Sequence, residues 1–274
     1  MTSRIRRAGP VGRAAVALWI ALAASLAAQG PPSGRAGGPP PTAKAGARVD
    51  FTGYWVSVVS EDWRWRMITP AKGDYANIPI NAAARKVADA WDPTKDQAAG
   101  EACKAYAAPA IMREPGRLQI TWQDDNTLKI ETDAGMQTRL LRFAVPGNTA
   151  QPAPGDPTWQ GTSVARWEAP PRGPAGNTIP LGLGARAGTD SRTLEVTTTR
   201  IRPGYLRKNG VPFSADASVT EYFDLFKDPD GLDWFVVTTI VRDPQFLNGP
   251  WVTTSHFKKE SNGAKWKPAP CSVR

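Results

Sequence analysis

LQITWQDDNTLKIET, residues 118–132, is the stretch that decides the fold. Leu118, Ile120 and Trp122 alternate with Gln119, Thr121 and Gln123, the period-two mark of a strand with one apolar face. Asp124-Asp125-Asn126 supplies short polar side chains that favour a turn. Leu128 and Ile130 then bring the apolar face back in phase, so the segment predicts a β-hairpin. The same pattern recurs on both sides, at 51–60, 63–67, 137–143, 161–168, 193–200, 218–226, 234–241 and 251–258. Asp228-Pro229-Asp230-Gly231 is a turn between two of these. Ten strands at this spacing predict an all-β, mainly antiparallel barrel or closed sandwich.

Helix is confined to one region. Asn81 is placed to cap a helix over 82–91, with Val87 and Trp91 four apart on one face. Asp92-Pro93 opens a second short helix or turn towards Cys103, proline being tolerated in a first turn. Residues 146–158 and 169–192 are low in complexity and read as surface loops carrying few groups able to bind anything.

The opening residues predict an address. Arg4, Arg6, Arg7 and Arg13 form a basic start, followed by an uncharged run over 14–28. That run of about 15 residues is shorter than the roughly 20 of a membrane span, as in a secretory signal peptide. Ser25-Leu26-Ala27 puts small residues at the peptidase positions, so cleavage is expected after Ala27, with Ala28 the next choice. Residues 28–49, rich in Pro, Gly and Ala, read as a solvated linker, and a single domain is expected over 50–274. The expected location is the periplasm or the exterior of a bacterium.

Charge and cysteine content narrow the partners. The chain carries +9, but residues 1–48 hold seven bases and no acid. The remainder is only +2, with 27 bases against 25 acids. Nucleic-acid binding needs a concentrated basic surface, so that class is set aside. Two cysteines, Cys103 and Cys271, in an oxidising compartment are expected to pair and to pin the C-terminal tail near Cys103.

Gly53-Tyr54-Trp55 resembles the G-x-W start of lipocalin-like barrels, where the tryptophan closes the barrel floor, often beneath an arginine from a late strand. More of the chain is similar to a large family of secreted bacterial proteins. The matching stretches are residues 53–59 with Glu61-Asp62-Trp63-Arg64-Trp65-Arg66, Trp122-Gln123-Asp124-Asp125-Asn126, Trp159-Gln160-Gly161, and Arg166-Trp167-Glu168. Gly204-Tyr205-Leu206-Arg207, Thr220-Glu221-Tyr222-Phe223 and Asp243-Pro244 continue the likeness. The resemblance implies export and a lipocalin-like β-barrel and carries no assigned activity; the 169–192 insertion departs from the short hairpin usual there.

Candidate chemistry centres on residues 61–66. As a strand, this segment puts Trp63 and Trp65 on one face and Arg64 and Arg66 on the other, about 7 Å apart. An inward arginine pair would hold a carboxylate or phosphate. An inward tryptophan pair would line a lumen for flat or apolar ligands. The bland alternative has the tryptophans in the core and the arginines bridged to Glu131, Glu168 or Glu221. Trp55, Arg166, Glu221 and Tyr222 complete the candidate ligand-binding set, and an inward Glu221 beside Arg64 or Arg66 would be the best acid/base candidate.

Other motifs are weaker. His256 is the only histidine, which rules out multi-histidine metal sites, and its strand places it on an outward or rim face. Residues 161–165 match only half of a nucleophile elbow. Asp228, Asp230 and Asp233 lack the glycine position and terminal glutamate of a calcium loop. No catalytic residue, metal or cofactor is therefore expected. The leading expectation is a non-catalytic, lipocalin-like binder of a small apolar or aromatic ligand. The alternatives are a periplasmic hydrolase or isomerase using Glu221, Tyr222 and Arg64, and a structural envelope protein.

Overall fold

The computed structural model describes residues 42–144, 156–168 and 193–273. The expected signal peptide, most of the linker, the bulk of the 146–158 loop and all of 169–192 lie outside them. The chain runs from β1 (Gly53–Val58) through α1 (Trp63–Arg66), α2 (Ala82–Ala90), α3 (Pro93–Ala98), a 3₁₀ turn (Ala102–Tyr106) and α4 (Ala108–Ile111). β2 (Arg117–Asp124), β3 (Thr127–Thr132), β4 (Ala134–Gly135), β5 (Thr138–Phe143), β6 (Thr162–Trp167) and β7 (Thr193–Thr199) follow. The last elements are β8 (Gly204–Arg207), β9 (Val211–Phe213), β10 (Ser218–Lys227), β11 (Asp233–Arg242), β12 (Trp251–Glu260) and β13 (Ala269–Pro270).

Nine of these strands close into a barrel in the order β1-β12-β11-β10-β7-β6-β5-β3-β2, with β2 returning to β1. Every neighbouring pair is antiparallel except β5 and β6. A parallel pair cannot be joined by a tight turn, which accounts for the long chain between Phe143 and Thr162. The hairpin read at 118–132 is present, with Ile120 opposite Ile130 and Leu118 opposite Thr132.

Alternation fills the interior. Trp55, Ile120, Ile130, Leu141, Leu194, Val196, Phe235 and Val237 are fully buried, and Phe223 and Phe257 nearly so. Phe235 sits among Trp55 at 4.7 Å and Phe257 at 4.8 Å, ring centre to ring centre. Each such side chain contributes about 1.5–3 kcal/mol on leaving water. A chamber wide enough for a ligand would leave its walls accessible, and these walls are not. Across the middle of the lumen runs an ion pair, Arg139 to Glu221, with both side chains wholly buried.

One end of the barrel is plugged by residues that composition assigned to the linker. Ala43 N–H donates to Asn126 Oδ1 at 2.9 Å and Lys44 N–H to Asp125 O at 2.9 Å, both in the β2–β3 turn. Val49 and Ala43 pack on the core, and Phe51 stacks on Trp167. The ordered domain thus begins ahead of Asp50. The other end is covered by α1–α4 and the β8–β9 hairpin, and there a second apolar cluster packs Phe213 of β9 with Val241 of β11 and Trp251 of β12.

Two local expectations are corrected. Residues 63–66 form a helix, not a strand. Both edges of β1 are already taken by β12 and β2, and Asp62 turns the chain through a left-handed conformation (φ 50, ψ 27). A four-residue alternation fits a helical turn as well as a strand, and here closure of the barrel leaves no edge to join. In α2, capped by Asn81 as expected, the buried face is Ala84 and Ala88, while Val87 is exposed. Small residues let the helix approach β9 closely. α3 starts at Pro93 behind its cap Asp92, as read. Cys103 and Cys271 are bonded, with Cα atoms 5.1 Å apart, and tie the 3₁₀ turn to the C-terminal tail. Among the described residues no helix is long and apolar enough to cross a membrane.

Candidate functional site

The covered end of the barrel holds a cavity of about 520 Å³, bounded by α1, the chain after α4, β8 and the β4–β13 pair. That size is ordinary for a small-molecule site. Three separate segments each bring one arginine to its wall. Arg66 comes from the last turn of α1, Arg113 from just beyond α4, and Arg207 from the end of β8. All three are more than nine-tenths buried.

Their partners are unequal. Arg66 donates from Nε to Arg113 O at 2.9 Å and from Nη2 to Ser57 Oγ at 3.3 Å, while Nη1 lies 3.5 Å from Glu61 without a hydrogen bond. Arg113 Nη2 is 3.1 Å from Asp62, too poorly aligned for a hydrogen bond, and its guanidinium lies over the Trp251 ring at 5.0 Å. Arg207 lies over the Trp65 ring at 5.2 Å, and none of its three nitrogens has an acceptor. A stacked guanidinium offers its face to the ring and keeps its donors at the edge.

Burial and mutual repulsion act on these cations. Arg66 is pushed down to about 10, by burial first and by Arg113 second. Arg207 is likewise pushed down to about 10, for the same two reasons. Arg113 is lowered chiefly by burial, with Asp62 opposing. All three stay charged at neutral pH. Lys208 completes the wall, 2.7 Å from Glu114 and 4.5 Å from the Tyr106 ring centre. Burial works against its charge, but Glu114 more than offsets this and its pKa is raised. Glu114 itself is raised by burial, against the pull of Lys208.

Tyr106 forms an aromatic side of the cavity because Gly135 lets it in. A Cβ at Gly135 would fall 2.3 Å from the Tyr106 ring, and the backbone there has φ +75, a conformation open to glycine. On the opposite side Trp65 donates its indole N–H towards the Asp74 carboxylate at 3.3 Å, which holds the ring in place.

The candidate residues read from the sequence scatter. Trp65 and Arg66 line the cavity together. Trp63 and Arg64 are exposed, Arg64 paired with Asp74. Trp55 is buried in the barrel core, its indole donating to Phe51 O at 2.8 Å, and the cation over its ring is Lys259 of β12. Arg166 is on the outer wall, bridged to Glu195, while Arg64 and Arg66 meet Asp74 and Glu61 in place of Glu131, Glu168 or Glu221. Glu221 is sealed inside with Arg139, not beside Arg64 or Arg66, and Glu131 pairs with Lys129. Tyr222, next along β10, is half-buried on the opposite face from Glu221. His256 faces outward as read, meeting Glu61 and Ser60. Glu221, Tyr222, Arg64 and His256 therefore share no site. Asp228 closes a hairpin turn, accepting from Leu232 N–H and the Trp234 indole. Among the described residues no three His, Cys, Asp or Glu side chains are grouped to hold a metal.

Three residues escaped the sequence reading. Arg139 was legible, since it shares a strand face with Leu141 and Phe143 and so had to point inward. Arg113 and Arg207 carry no local signal, because their meeting with Arg66 is made by the tertiary fold alone. Comparison of the chain with protein-family models, with curated proteins and with solved structures finds no match.

Proposed function

We propose that this protein is an exported, non-catalytic binder of a small apolar or aromatic molecule, held through an anionic group in the arginine-lined cavity. One observation carries the reading: three buried arginines around one cavity, with guanidinium nitrogens that have no hydrogen-bond acceptor. A buried donor without a partner costs stability, and a bound anion supplies the missing acceptors. Trp65 and Tyr106 offer the body of such a molecule aromatic surface. Envelope or extracellular residence is supported by the basic, apolar leader and by the Cys103–Cys271 bond, which persists in oxidising compartments. The filled lumen argues for a site at the barrel's covered end in place of the interior that lipocalin-like binders use.

The test is titration of tryptophan fluorescence with pooled lipid and aromatic extracts, in the native chain and in Arg207→Ala. A saturable response lost in the variant is expected. No response in either protein would remove the proposal. A second reading, an interaction protein of the envelope, draws on the exposed Trp63, Met67 and Ile68. Pull-down losses caused by Trp63→Ser, with the cavity intact, would favour it.

A further inference from the structure

The charges around the cavity are nearly, but not fully, matched. Arg66 has Glu61 at 3.5 Å, Arg113 has Asp62 at 3.1 Å, and Lys208 has Glu114 at 2.7 Å. Arg207 has no carboxylate within ion-pair distance among the described residues, and Nε, Nη1 and Nη2 all lack an acceptor. Its residue is 5% exposed, so water does not solvate it freely. The wall therefore carries one uncompensated positive charge, on a planar fork of donors fixed by Trp65.

From this we infer that the cavity takes a monocarboxylate with a compact apolar body, its carboxylate paired edge-on with the Arg207 guanidinium. The inference rests on the binding reading proposed above and names the ligand's chemical class. Carboxylate geometry matches the guanidinium fork, two parallel N–H donors to two oxygens. One negative charge completes the balance. A second would have no cation left to balance it and would face the lining carboxylate of Glu114 in a poorly solvated wall, where like charges repel strongly. Met67, Pro70, Ala110, Pro115 and Leu206 supply apolar lining for the rest of the molecule. The lowered pKa of Arg207, caused by burial and then by Arg113, fits a cation waiting for a counterion.

Isothermal titration of the disulfide-intact chain at pH 8 tests this with phenylacetate, octanoate, phenyl phosphate and phenylacetamide. At that pH the phosphate monoester is a dianion, and the amide is neutral. We expect at least one of the two carboxylates to bind tenfold or more tighter than phenyl phosphate and phenylacetamide. Arg207→Ala should weaken that carboxylate at least tenfold, and Arg207→Lys should restore little, because a point charge lacks the fork. Arg207→Ala should not lower the melting temperature of the free protein, since it deletes an unpartnered buried charge, and an unchanged or raised melt shows that loss of binding is not loss of fold. Phenyl phosphate binding as tightly as the carboxylates would overturn the monocarboxylate class and leave an anion site standing. Absence of binding by all three anions would overturn both.

Discussion

Replacing Glu221 by Gln probes the barrel's interior most sharply. In the native protein Arg139 Nη2 lies 2.5 Å from Glu221 Oε2 and Nη1 lies 3.0 Å from Oε1, a two-point pair with no exposed side-chain surface. Arg139 Nη2 also reaches Thr198 Oγ1 at 3.5 Å, and Thr198 is bonded to Ser163 at 2.8 Å. Glutamine keeps the shape and one acceptor but leaves the guanidinium charge without its counterion. Breaking a buried pair from one side costs about 3–5 kcal/mol. In a domain of this size each kcal/mol moves the melting temperature by about 2–4 °C, so a drop of roughly 6–20 °C is expected. Arg139→Met with Glu221→Leu removes both charges and should recover most of the loss, because apolar replacement of a whole pair is often neutral or better. Thermal and urea melts followed by circular dichroism compare both variants with the native protein, and the single variants Arg139→Met and Glu221→Leu close the double-mutant cycle. A Glu221→Gln melt within 2 °C of native would refute the reasoning: the pair would be wet, and the lumen open to solvent and ligand.

Other expectations are independent of that pair. Cys103→Ala with Cys271→Ala opens a bridge spanning 168 residues and should cost roughly 5 kcal/mol on the chain-entropy model; melts of the double variant that match native would contradict it. Gly135→Ala forces a Cβ into the Tyr106 ring at a positive φ, and should destabilise by about 1–3 kcal/mol and distort the cavity wall. Tyr75 donates to Asp89 Oδ1 at 2.7 Å, and its pKa is raised to about 12, by burial first and this bond second. Its stabilising contribution is therefore full below pH 10 and lost as pH rises from 10 through about 12, where the unfolded chain releases the proton more readily. Comparing native and Tyr75→Phe stability at pH 9 and pH 12 checks the sign; a native advantage that grows with pH would be inconsistent.

Periodicity made the barrel legible because its strands are long and each has one apolar face, as at Leu118-Ile120-Trp122 against Leu128-Ile130. Where a segment is short the same signal is ambiguous. Trp63 to Arg66 obeys strand alternation yet turns as a helix, since the edge it would need is used by β12 and β2. β8 and β9 were missed for a related reason: they are short and buried on both sides, and lack alternation. The candidate site was half visible. Trp65 and Arg66 stood out by composition, while Arg113 and Arg207 join them only through the packing of α4 and β8 over the barrel end. Glu221 drew attention as an acid that could point inward beside Arg64 or Arg66, and its actual partner Arg139 could have been found by asking which base faces the same interior.

Nitrogen-15 spectra of the tryptophan indole N–H groups, assigned by Trp65→Phe and Trp55→Phe, give the most direct test of where a ligand sits. Titrated with phenylacetate or octanoate, the Trp65 resonance at the arginine-lined cavity should shift and saturate while Trp55 in the barrel stays still. Movement of Trp55 with a silent Trp65 would put the ligand in the lumen and contradict the account.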